Sequence, residues 1–221
     1  MTQKTDGLVA LISPPNDPHF VIRYDHRDTG RSTSFTKSPD DDSPVYTLND
    51  MVNDAVGLIE HLNLEEFHLW LLGEAFSVPE DLNDDEAWIE SYMSLDLALA
   101  VRPPTEAEKA ESRRESEVTY RRERDSGTMW TKHNHSDASG PRWPRESLKE
   151  IRCPTVVIHA AKDQIFPMRP AEALRDDVEG ATLVVLEDCG HELPHRVRHQ
   201  VADTILANVK KGGARAVKGE R

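Results

Sequence analysis

CPTVVIHAAKDQIFP (residues 153–167), MRPAEALRDDVEG (168–180) and ATLVVLEDCGHELPH (181–195) run on continuously, and their reading decides the fold class of this chain. Residues 155–159 (TVVIH) are a short β-branched apolar run, the pattern of a strand buried on both faces. Asp163 stands just beyond its end. Residues 171–178 have helical spacing and stop at Gly180, a residue suited to the left-handed turn that closes a helix. Residues 181–186 (ATLVVL) repeat the strand pattern and lead into Glu187-Asp188-Cys189-Gly190-His191. Two buried strands joined by a helix predict a right-handed crossover and a parallel sheet, hence an α/β fold. Open α/β sheets place their chemistry in the loops at the carboxyl ends of such strands, where both Asp163 and His191 fall.

This stretch resembles the C-terminal part of the α/β-hydrolase family. The resemblance implies that Asp163 is the acidic member of a Ser-His-Asp triad and His191 its general base, in the family's chain order Ser…Asp…His. The chemistry asks for that pairing: a carboxylate fixes the imidazole tautomer and stabilises the imidazolium formed when histidine takes a proton from the nucleophile. Taken singly, Asp163 reads as a loop carboxylate and His191 as a polar residue after a glycine turn. Their joint placement on consecutive strand ends favours the triad positions.

Upstream, residues 8–12 (LVALI) are the one run before His19 with the character of a strand, and residues 19–24 (HFVIRY) read as a strand followed by DHRDTGRSTS (25–34). This strand-then-D-x-R-D-x-G-R-S pattern, with YTLNDMVNDAVGLIEHLNL (46–64) behind it, is a second family hallmark. It resembles the branch that includes aclacinomycin methylesterase-like ester hydrolases. Gly30 permits a tight turn, and Asp25, Arg27, Asp28 and Arg31 are expected to lock the loop by charge-assisted bonds rather than to act in catalysis. Residues 46–62 form a helix with Thr47 as N-cap, Asp50 three residues on, and an apolar face carrying Leu48, Met51, Val52, Ala55, Leu58, Ile59 and Leu62. Residues 67–72 (FHLWLL) fit the strand that in the family precedes the nucleophile.

The family continues with G-x-S-x-G, a strained turn that exposes serine beside an oxyanion-binding backbone N–H. This chain reads Gly73-Glu74-Ala75-Phe76-Ser77 instead. Ser77 is the remaining nucleophile candidate, but Ser77-Val78-Pro79-Glu80 reads better as a capping box opening the helix that holds residues 85–93. Nor does the stretch before His19 resemble the family's oxyanion loop. The expected architecture is therefore an incomplete α/β-hydrolase fold, a mostly parallel sheet flanked by helices. Its divisions are an N-terminal core part (1–73), a helical lid-like insertion (74–144), a C-terminal core part (145–209) and a basic, disordered tail (210–221).

Within the lid-like region, residues 107–124 read as a solvated helix laced with Glu–Arg spacings, and Tyr120, Met129, Trp130 and Trp143 as anchors pinning it to the core, the alternative being the lining of a pocket for an aromatic or polycyclic substrate. His133-Asn134-His135 lies in a polar loop without a third ligand, so no metal is expected there. Residues 196–209 form the last amphipathic helix. The 221 residues carry a net charge of −13, which argues against nucleic-acid binding. Two cysteines, Cys153 and Cys189, give no disulfide framework. No apolar run approaches the ~18 residues of a membrane span, and no secretory leader is visible, so a soluble cytoplasmic protein is expected. By resemblance the function is hydrolysis of a small-molecule carboxylic or methyl ester, without cofactor, and inactive as written for want of the serine and oxyanion loop. The alternatives are a non-catalytic ligand- or partner-binding relative, or a truncated or mis-spliced product. Self-association through an incomplete sheet edge is the further expectation.

Overall fold

The computed structural model describes residues 3–36, 44–65, 67, 84–131, 134–138, 140 and 144–217. In chain order the elements are α1 (Gln3–Ile12), α2 (Leu48–His61), α3 (Asp85–Ala98), α4 (Glu106–Ser126), a 3₁₀ turn (Thr128–Trp130), α5 (Asn134–Asp137) and a second 3₁₀ segment (Arg145–Glu150). They are followed by β1 (Val156–Ala160), α6 (Met168–Asp177), β2 (Thr182–Leu186) and α7 (His195–Val217). The chain gathers into two compact units. One takes the described residues of Ile22–Glu74 and Glu117–Arg142; the other takes those of Thr2–Val21, Ala75–Ser116 and Trp143–Arg221.

The larger unit is built on the β1–α6–β2 crossover. β1 and β2 pair in parallel, in register from Val156 opposite Thr182 to Ala160 opposite Leu186. Both strands are mainly half-buried rather than covered on both faces, because this sheet has two strands among the described residues. Gly180 adopts φ +74° in the turn before β2. Against the sheet, Leu8 of α1, Leu186, Cys189 and Val197, Val201 and Ala202 of α7 form a buried cluster. LVALI (8–12) is therefore helix, not strand: Leu8, Leu11 and Ile12 recur at helical spacing and pack on that cluster. α7 runs to Val217, into the stretch expected to be a disordered tail. Asp84 caps α3, its Oδ1 accepting the N–H groups of Glu86 (2.9 Å) and Ala87 (3.1 Å), so this helix opens at Asp85 and not at Ser77. Nor is the first half of α4 a freely solvated face: Ser112 and Glu115 are buried, and Arg198 donates to Glu111 (2.8 Å) and Glu115 (3.1 Å).

The smaller unit is organised by the 25–34 loop. Asp28 (φ +60°) is fully buried; Oδ1 accepts Phe35 N–H at 2.6 Å and Oδ2 accepts the Asn134 amide at 2.9 Å. Arg27 forks onto Asp54 with two 2.7 Å bonds and lies over the Phe35 and Tyr46 rings. Asp25 accepts Arg31 N–H at 3.2 Å and Arg122 at 2.6 Å. Gly30 (φ +53°) is required there, since a Cβ would fall 2.3 Å from the Asp25 carboxylate. The loop is thus locked by the charges of Asp25, Arg27 and Asp28, while Arg31 contributes its backbone N–H. HFVIRY is not a strand, however: it has no regular secondary structure and pairs with no described strand, and Phe20 is 83% exposed. α2 carries the Thr47–Asp50 capping box, yet none of its residues is buried, so its apolar face is left partly open among the described residues. The FHLWLL strand lies, apart from Phe67, outside the described residues, as do Ser77, His133 and Trp143.

Leu186 closes the core at the end of β2, whereas Leu174 on α6 is 43% exposed. Leu186→Ala should cost about 2–5 kcal/mol in urea denaturation, and Leu174→Ala should stay within about 0.5 kcal/mol of the parent.

Candidate functional site

Parallel pairing sets the carboxyl ends of β1 and β2 side by side, and backbone bonds carry that alignment into the loops beyond. Ala161 N–H donates to Leu186 O at 3.0 Å and Lys162 N–H to Cys189 O at 3.1 Å. One residue beyond Lys162 stands Asp163 and two beyond Cys189 stands His191, with His191 Nδ1 2.9 Å from Asp163 Oδ2. The structure therefore brings together the two residues singled out in the sequence. Asp163 Oδ1 accepts the N–H groups of Ile165 and Phe166, each at 2.8 Å, which closes the turn after β1 around the carboxylate. Burial pushes the Asp163 carboxyl up, but the Phe166 N–H, the His191 ring and the Ile165 N–H outweigh it and hold the group below the ordinary range. Asp163 is thus a carboxylate at neutral pH. A carboxylate on Nδ1 calls for the proton on that nitrogen and leaves the Nε2 lone pair as the basic position.

Two neighbours that the sequence did not single out help to fix the ring. The Gln164 side-chain oxygen accepts His191 N–H at 3.3 Å. Gly190 admits no side chain, because a Cβ there would come within 2.5 Å of Leu99 O and 2.8 Å of Gln164 Oε1. The Phe166 ring lies 5.3 Å from the His191 ring and is 54% exposed. Only the glycine before His191 hinted at this close approach.

Cys189 is buried, and its Sγ donates to Glu192 O (3.0 Å) and Gly190 O (3.4 Å). Burial pushes its thiol up to about 12, so it is not a thiolate at neutral pH. Cys153 and Cys189 are both free. Ser77 lies outside the described residues. Among the described residues no group of three or more His, Cys, Asp or Glu side chains is placed to hold a metal ion, and no helix is long and apolar enough to cross a membrane. Two cavities lie away from the pair. One, of about 30 Å³, is bordered by Arg102, Glu108, Glu192 and Arg196; the other, an open groove of about 640 Å³, runs along Pro144, Arg145 and Ile151. The first has room for about one water molecule.

Glu108 beside that small cavity is held by Thr105 and two arginines. The Thr105 N–H, partly offset by burial and reinforced by the Thr105 hydroxyl, Arg102 and Arg196, lowers its carboxyl from 4.5 to about 2. A folded-state value below the unfolded one means that this stabilisation is complete above about pH 4.5 and is lost as pH falls through about 2. The urea midpoint should therefore fall over that window, and Glu108→Gln should flatten the fall.

No protein-family model matches the chain. It is 26% identical to the rhodomycin D methylesterase DauP of Streptomyces sp. (strain C5), an alignment covering 87% of this chain and 82% of that protein. It is 24% identical, over the same shares, to the rhodomycin D methylesterase DnrP of Streptomyces peucetius. Among solved structures it is similar to the meta-cleavage product hydrolase CumD of Pseudomonas fluorescens IP01, with a TM-score of 0.59 and 18% identity over 95% of this chain and 86% of that one. It is also similar to Est816, an N-acyl homoserine lactone degrading enzyme, with a TM-score of 0.53 and 17% identity over 93% and 87% of the two chains.

Proposed function

We propose, from the premise that the chain belongs to the α/β-hydrolase family and to its methylesterase-like branch, that it keeps the acid–base half of a carboxylic-ester hydrolase without the nucleophile. Its small parallel sheet flanked by helices is an incomplete α/β-hydrolase fold. The observation that carries the functional reading is the 2.9 Å contact between Asp163 and His191 at adjacent strand ends. In an ester hydrolase of this kind the imidazole Nε2 takes the serine proton as the serine oxygen bonds to the ester carbonyl carbon. The same proton then leaves with the alcohol, and water repeats the sequence to release the acid. Here Asp163 and His191 supply the carboxylate and the base. The internal run Gly73-Glu74-Ala75-Phe76-Ser77 puts alanine where the family's serine stands, so the base has no hydroxyl to activate at that position.

The substrate class that fits the resemblance is a small-molecule carboxylic or methyl ester. A ligand-binding role without turnover is the second reading, favoured by the exposed Phe166 ring beside His191, an apolar face offered to a bound molecule. Self-association along an open sheet edge belongs to the same picture of an incomplete scaffold.

Turnover of p-nitrophenyl esters should match the buffer background, a fluorophosphonate probe should leave the protein unlabelled, and His191→Ala should change neither. Loss of one triad member costs a serine hydrolase several orders of magnitude. Stoichiometric labelling that disappears in Ser77→Ala and slows in His191→Ala would overturn this reading and make the chain an active esterase.

A further inference from the structure

The loop that carries His191 is bracketed by two acidic residues, Asp188 three positions before it and Glu192 directly after it. Arg196, in the first turn of α7, engages both. Its Nε donates to Asp188 O at 3.0 Å and Asp188 Oδ2 at 3.2 Å, and a terminal nitrogen donates to Glu192 Oε1. The other terminal nitrogen donates to Glu108 Oε1 on α4 at 3.0 Å. Glu108 does not drift with that contact, because Arg102 meets both of its oxygens at 2.9 and 3.2 Å and Thr105 N–H binds it at 2.9 Å. Glu192 also accepts Val101 N–H at 3.4 Å. The Arg196 side chain is four-fifths covered, and Glu108 and Glu192 are covered at least as far, so the bonds to those two face little competition from water.

We infer that Arg196 is the positioning residue for His191: one planar guanidinium ties the two ends of the His191 loop together and anchors them to Glu108, which sets the imidazole against Asp163. The shape of the group matters as much as its charge. Asp188 and Glu192 flank the histidine in sequence and are reached at once only by a fork with donors on separate nitrogens, which a lysine ammonium does not offer. Gly190, pressed on Leu99 O and Gln164, leaves the loop little room to shift. Tied by Arg196 and crowded at Gly190, the loop holds Nδ1 at 2.9 Å from the carboxylate. Arg196 itself touches neither the ring nor Asp163 in any of these bonds, so its effect is transmitted through the loop. This inference rests on the reading of Asp163 and His191 as the acid–base pair.

The test reads the imidazole and not turnover. Long-range ¹H–¹⁵N spectra of the parent, with the His191 signals identified among the ten histidines by their loss in His191→Gln, should show a protected Nδ1–H and the tautomer with bare Nε2. Arg196→Met should lose that protected proton and mix the tautomers, while Arg145→Met, which breaks the ion pair to Asp177 elsewhere in the same unit, should retain both. Retention of the parent pattern in folded Arg196→Met, or equal loss in Arg145→Met, overturns the inference. Should Arg196→Met not fold, Glu192→Gln decides in the same way, loss supporting the inference and retention overturning it. A parent without a protected Nδ1–H would instead remove the Asp163–His191 reading and this inference with it.

Discussion

Parallel pairing of β1 with β2, prolonged past the strand ends by Ala161 N–H to Leu186 O and Lys162 N–H to Cys189 O, is the constraint on which the candidate site depends. Asp163 and His191 come from loops on different strands, and their 2.9 Å contact survives only while those strands keep register. A slip of one residue displaces a strand end by roughly 3.3 Å and turns its side chains to the other face. Either change is larger than the tolerance of a hydrogen bond. The core beneath serves the same end: Leu186, Cys189 and Val197 are buried at successive points along the segment that holds His191, so the loop is fastened from inside before its charges act.

Charge does the rest of the positioning, in two places with different physics. Near the site, Arg196 and Arg102 face Glu108, Asp188 and Glu192, partly covered groups whose bonds fix a loop. In the smaller unit, buried Asp28 is satisfied by a backbone N–H and by Asn134, which sets a turn rather than an active group. Leaving such a group without its partners costs more than the bonds contribute, so the net effect of both networks is specificity of conformation.

The β–α–β unit was legible because its signals are local: two β-branched runs, helical spacing between them, and a glycine at the turn with positive φ. The Asp163–His191 pairing was implied by the family resemblance, and topology agreed with it, since parallel strands put their ends together. The lock on the 25–34 loop was also legible, in the alternation of Asp and Arg around Gly30. HFVIRY had the composition of a strand, but a strand needs partners, and composition does not supply them. LVALI was too short for its five apolar residues to separate strand from helix, and packing on α7 decided the matter. The burial of Glu115 in α4 depends on Arg198, remote in sequence, which spacing within the helix does not reveal. The bonds of Arg196 to Asp188, Glu192 and Glu108 were not legible in the sequence, because Glu108 is remote in it and Glu192 lies before α7 begins.

The central proposal is that Asp163 and His191 form an acid–base pair with no serine at the family's position to act upon. Restoring the family's spacing within this sequence, by Ala75→Ser together with Ser77→Gly after Gly73, tests it most directly. The account predicts that the double variant is labelled by a fluorophosphonate probe where the parent is not, and that adding His191→Ala or Asp163→Ala abolishes the gain. A folded double variant that stays unlabelled, or one labelled equally well without His191, would contradict it.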